Sequence, residues 1–217
     1  MIFILEAYVI ANLLCLIHLG TSACAGRLAG VRILEFSFGI GPLVFALGKL
    51  RVYLIAFGGS VHFKSSKDEA ANYETLDDAI DRQPLWKQCL IALSGTASVF
   101  GLALVIMGRS AGLSSLAAFE QFVRGAMGPL TSAQEYLSNY HDVLQRQGVV
   151  EAVGLLAAKL TALNLFQCTV FLLQITTARI PAVLAVVEKF VVLTMLLLMG
   201  MMSCWFIAAV TFGWRNP

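Results

Sequence analysis

Apolar positions gather into four long runs, with polar residues held between them. The runs are 2–19, 89–107, 149–175 and 182–212. A helix needs about 20 apolar residues to cross a bilayer, and each run meets that length or nearly does. The second is entered through Gln83-Pro84-Leu85-Trp86-Lys87. The fourth is too long for an upright span, so it tilts or lays its first turns in the interface. Residues 33–63 follow another rhythm. Ile33 to Pro42 is rich in glycine and aromatics with partial alternation, and Val52 to Gly59 is a second β-leaning run. Neither is a membrane-crossing strand by itself. Exposed strand edges are not tolerated in lipid, so the two are expected to pair and to enter the membrane only where helices shield them.

The remaining segments are polar or mixed. Residues 64–87 form a loop whose first part carries Asp68, Glu69, Glu74, Asp77, Asp78 and Asp81. In 108–148, Leu116, Phe119, Phe122 and Val123 share one helical face, with Glu120 and Arg124 opposite. Gly128-Pro129 ends that helix, and Tyr136, Leu137, Tyr140 and Leu144 mark a second amphipathic one. Both are expected to rest on the membrane interface.

Composition agrees with this outline. Of 217 residues, 59% are apolar and 13% are charged, and mean hydropathy is +0.81. So little charge cannot cover so much apolar surface in water, so the chain is an integral membrane protein of one domain, 1–217. Nucleic-acid binding is excluded, and a net charge of +2 names no acidic partner. Cys15, Cys24, Cys89, Cys168 and Cys204 contain no CxxC pair, and four sit within or near apolar runs, so they read as small buried hydrophobes and not as a disulfide framework. Thr21-Ser22-Ala23-Cys24-Ala25 has the small residues of a signal cleavage site, but no Lys or Arg precedes Arg27, so the first run is expected to be kept.

Lys and Arg are denser between the first and second runs than between the second and third. The positive-inside rule then gives cytoplasmic first and third connections and extracytoplasmic termini. Residues 64–87 become a cytoplasmic loop and 108–148 an extracytoplasmic segment.

Several motifs resemble the site-2 protease family of intramembrane zinc metalloproteases. His18-Leu19-Gly20-Thr21-Ser22 through Gly30-Val31-Arg32-Ile33 is similar to the family's HExxH helix, its small-residue run and G-V-R-V. Glu35-Phe36-Ser37-Phe38-Gly39-Ile40-Gly41-Pro42 resembles E-x-F-S-I-G-F-G-P, and Ile55-Ala56-Phe57-Gly58-Gly59-Ser60-Val61 resembles I-P-L-G-G-Y-V, the membrane-associated β-loop. Trp86-Lys87-Gln88 and Ser94-Gly95-Thr96-Ala97-Ser98-Val99-Phe100 resemble W-x-R and A-G-P-x-A-N-F. Leu163-Asn164-Leu165-Phe166 resembles the N-L-L-P that opens the last zinc-ligand motif. The matches follow the family's order across nearly the whole chain. The resemblance implies an all-α membrane protein of about four spans, with a short β-hairpin region and a site-2-protease-like core.

The chemistry departs from that pattern. A zinc protease needs two His at i and i+4 to reach one metal, and a Glu after the first as base for the bound water. His18 keeps the first ligand position, Leu19 replaces the base and Ser22 replaces the second His. The last motif puts Leu172 where the family has its Asp ligand, with Leu173 and Gln174 in place of two glycines. Gln167 and Thr169 replace the helix-entry prolines. His62 and His141 have no ligand-spaced neighbour. No metal, cofactor or proteolytic residue is therefore expected.

Other groups offer less. His18 alone is read as a relic bonded to a carbonyl or to Ser22, or as a proton relay. The small residues Ser94 to Ser98 read as helix packing. Lys159 and Glu151 share a face of the third run; Glu151 reaches the interface, and Lys159, set deeper, snorkels or pairs with Glu6 or Glu188. The expected role is that of an inactive site-2-protease-like subunit in a bacterial inner-membrane assembly. Its partners would be the bilayer and other membrane proteins or transmembrane clients. Phe119, Phe122, Tyr136, Tyr140, Met199, Met201, Met202 and Trp205 are the candidate partner-binding residues, as aromatic and Met side chains suit interfaces. The alternatives are a hydrolase with a non-standard site, or a small-solute transporter built on His18 and Lys159.

Overall fold

The computed structural model describes residues 2–66, 77–177 and 181–215. Asp68, Glu69 and Glu74 of the acidic loop lie outside these residues. In chain order the elements are helix α1 (Ile2–Leu28), strands β1 (Ile33–Leu47) and β2 (Leu50–Phe63), a 3₁₀ turn at Ile80–Arg82, and helices α2 (Leu85–Met107), α3 (Ser110–Met127), α4 (Leu130–Arg146), α5 (Val149–Thr177) and α6 (Pro181–Arg215). Helices α1, α2, α5 and α6 are each long and apolar enough to cross a membrane. They form two compact units, Asn12–Ser98 and Met1–Ala11 with Val99–Pro217.

In the first unit, α1 runs on through Thr21 to Leu28, past the end its apolar run marks at Leu19. Small residues do not break a helix whose neighbours supply packing. Gly30, at φ 83°, stops it. Gly30 N–H donates to Arg27 O at 3.1 Å and Val31 N–H to Gly26 O at 2.9 Å, a Schellman cap. The chain then enters β1, which pairs antiparallel with β2, as the expected pairing of 33–63 required. Phe36, Ser37 and Phe38 face β2 twice, across Leu50 to Val52 and across Gly59 to Val61. The ribbon therefore folds back on itself. It bends where Gly39 has φ 92°, and a Cβ there would come within 2.6 Å of Ile55 O. Leu43, Val44, Phe45, Leu47 and Leu54 are exposed on the ribbon, an apolar surface suited to lipid.

A polar knot closes this unit. Lys64 is 1% exposed, and its Nζ donates to Asp78 Oδ1 at 2.7 Å. The hydrogen bond from Lys64 is the main reason the Asp78 carboxyl is held below its usual range. Backbone bonds from Arg32 N to Asp78 O and from Ile80 N to Lys64 O tie the same residues together. Lys87 Nζ donates to Ala29 O at 2.9 Å and so joins the start of α2 to the end of α1.

The second unit packs α3, α4, α5 and α6 together. Trp205 of α6 stacks on Phe122 of α3, ring centroids 6.3 Å apart and 4° from parallel, and its Nε1 donates to Phe122 O at 2.9 Å. Gly125, one turn along α3, is the residue whose missing side chain admits the indole. Phe3, Tyr140, Leu144, Ala152, Leu155 and Phe212 form an apolar cluster, with His141 edge-on to Phe3 at 4.8 Å. Among the described residues the Tyr140 hydroxyl has no hydrogen-bond partner, and burial pushes it up to about 12. The 108–148 segment is helical on both sides of Gly128-Pro129, with Pro129 capping α4 at φ −59°.

Candidate functional site

Three elements of the Asn12–Ser98 unit meet on the middle of α1. His18 and Ser22 lie one turn apart on the same face, because four residues nearly complete a turn. Helix α2 reaches them through Gly95. A Cβ at that position would come within 2.5 Å of both His18 O and Ser22 Oγ, and within 2.8 Å of His18 Cε1. The backbone of Gly95 hydrogen-bonds the His18 side chain. Glycine permits this approach because no side chain separates the helices. Ser94 Oγ and Ser98 Oγ bond the carbonyls of Ile91 and Gly95 on their own helix, at 2.9 and 2.7 Å. The small-residue face of α2 thus serves helix packing.

The β ribbon reaches the next residue. Leu19 is buried, and its Cδ1 lies 2.6 Å from where a Cβ on Gly59 would stand. That same Cβ would come within 2.5 Å of Ser37 O. Ser37 Oγ and Ser60 Oγ are hydrogen-bonded at 2.8 Å across β1 and β2. Leu19 therefore anchors the ribbon to α1, at the position where a metalloprotease carries its base.

These residues do not fit a catalytic zinc ion. Such an ion takes three protein ligands and keeps an open position for water. The α1 face offers one imidazole, one neutral hydroxyl and an apolar side chain. Among the described residues, no three His, Cys, Asp or Glu side chains gather closely enough to hold a metal. His62 lies on β2 opposite Glu35 and is exposed. His141 belongs to the aromatic cluster of the other unit. Leu172, half-buried on α5, has no donor atom, and neither has its exposed neighbour Leu173. No hydrolytic step through a metal follows from such a set.

The eight candidate partner residues divide by burial. Phe122, Tyr140 and Met201 are buried and pack within their own unit, so they present no outward face. Tyr136 and Trp205 are half-buried against each other, ring centroids 6.2 Å apart. Phe119, Met199 and Met202 remain exposed, Met199 at 68%. Helical spacing marks an apolar face equally well for core and for interface, so the sequence pattern did not separate them. Reading the residues alone missed Ser37 and Ser60 beside Leu19. Their signal was the pairing of Phe36-Ser37-Phe38 with Gly59-Ser60-Val61 across the ribbon.

Among known proteins, the chain matches the family model described as Peptidase family M50 over residues 9–211. No curated protein matches it.

Proposed function

The chain belongs to peptidase family M50, the site-2 protease family, and from that premise we propose a catalytically silent member that acts by binding. One observation carries the reading. On the helix where the family holds two metal ligands and a base, this chain has His18, Leu19 and Ser22, and Leu19 is committed to packing against Gly59. A leucine methyl in van der Waals contact cannot take a proton from water. The hydroxyl of Ser22 is no substitute for an imidazole as a zinc ligand.

A membrane protein that keeps this scaffold without the reaction can still hold another membrane protein or a transmembrane client. The exposed Met199 and Met202 on α6 are suitable contact residues. The Lys and Arg distribution supports extracytoplasmic termini, in a bacterial inner membrane.

Three measurements test the proposal. The protein purified in mild detergent should contain no stoichiometric zinc by elemental analysis and should cleave no membrane-spanning substrate. Co-purification followed by mass spectrometry should return a defined membrane partner, and Met199→Arg should release it. Zinc at about one ion per chain, or cleavage lost in His18→Ala, would overturn the reading.

A further inference from the structure

Helix α3 follows the second candidate span and precedes α4, which suggests an element outside the membrane. Its contacts point elsewhere. Ser115 Oγ donates to Ala158 O at 2.7 Å, and the Phe119 ring meets the Phe166 ring with centroids 5.6 Å apart. Both partners lie on α5, well inside the apolar window Val149–Leu173. At 1.5 Å per residue, Ala158 is about 14 Å and Phe166 about 26 Å along the axis from Val149. A helix touching α5 at both levels runs beside the span and not across its end. On α6, Trp205 receives Phe122 and Gly125 of α3 from inside the apolar window Ala185–Phe212.

The outward face of α3 suits that position. Leu113 is 72% exposed and Leu116 81%, and Phe119 continues the stripe. Leu165, next to Phe166 on α5, is also exposed. Apolar residues of both helices are thus open side by side. Glu120 and Arg124, which the apolar pattern set opposite this face, lie one and two turns beyond Leu116 on it and form an ion pair at 2.7 Å, so neither charge is presented alone. In lipid, a helix satisfies its own backbone, so α3 needs no further partner there.

We propose that α3 is a re-entrant membrane helix that runs beside α5 and whose Leu113, Leu116 and Phe119 face is covered by lipid acyl chains. This goes beyond the binding role above and does not depend on it.

The test uses the full chain in sealed proteoliposomes. With the five native cysteines replaced by Ala, single cysteines at Leu116, Leu196 and Gln147 carry a nitroxide label. Relaxation by oxygen is compared with relaxation by a water-soluble nickel chelate. Leu196, exposed on α6, sets the value for acyl-chain contact, and Gln147, exposed between α4 and α5, sets the value for water. The Leu116→Cys label is expected to match Leu196→Cys, with chelate accessibility at least tenfold below that of Gln147→Cys. A value like that of Gln147→Cys, or one at headgroup depth, overturns the proposal. If Leu116→Cys does not fold, Leu113→Cys gives the same reading one turn away.

Discussion

Leu19 occupies the space that a side chain on Gly59 would need, its Cδ1 2.6 Å from that missing Cβ. The contact fastens the β ribbon to α1 through the residue that stands at the family's base position. On the reading proposed above, the residue that stands in place of the base is also the one that packs the ribbon.

Leu19→Glu is therefore expected to destabilise the protein without restoring catalysis. A carboxylate there would be buried with no partner, which costs about 3 kcal/mol or more. Thermal unfolding in detergent should show a clearly lower midpoint, and no cleavage of a transmembrane substrate should appear. A stable and active variant contradicts this account.

Gly95 is equally constrained. Gly95→Leu should separate α1 from α2, because the new Cβ alone would lie 2.5 Å from His18 O and Ser22 Oγ. Overpacking of this kind costs about 1–3 kcal/mol. Gly101→Leu on the same helix meets nothing within 4 Å and should leave the unfolding midpoint nearly unchanged.

The Lys64–Asp78 pair sets an acid limit. The Asp78 carboxyl is depressed by the Lys64 hydrogen bond, so its contribution is present above the ordinary carboxylate value of about 3.9 and is lost as pH falls through the lower folded value. Asp78→Asn removes the carboxylate that accepts from Lys64 Nζ and should lower the unfolding midpoint at neutral pH. The variant should also lose part of the wild type's acid sensitivity. Unfolding midpoints between pH 3 and pH 7 measure both effects.

Tyr140 sets an alkaline limit of opposite sign. Its hydroxyl is pushed up to about 12 by burial first and by the Glu6 charge second. An unfolded tyrosine ionises near 10, so stability is full below about pH 10 and declines as pH rises toward 12. Tyr140→Phe removes a buried hydroxyl that has no partner among the described residues. It should be neutral or stabilising by about 1 kcal/mol and should flatten the alkaline decline. A loss of more than 1 kcal/mol would indicate that the hydroxyl is bonded in the folded protein.

Much of this architecture was legible in residue order. The apolar runs appear as α1, α2, α5 and α6, because the cost of burying bare backbone in lipid leaves helix as the main choice. Pairing within 33–63 was legible from its glycines and alternating aromatics, and the G-V-R-x-x-E-F-S-x-G-x-G-P stretch pointed to the family. The side chains at the motif positions were also visible, since whether a side chain can bind a metal is a property of that side chain. Burial was not visible in the same way. Phe119 and Phe122 share a helical face three residues apart, yet Phe119 is open while Phe122 lies under Trp205, a residue from another helix. Leu19 looked like a bare loss until Gly59 was brought against it. Local periodicity records which residues avoid water. Only the packing of distant segments decides which of them meet each other and which are left to lipid or to a partner.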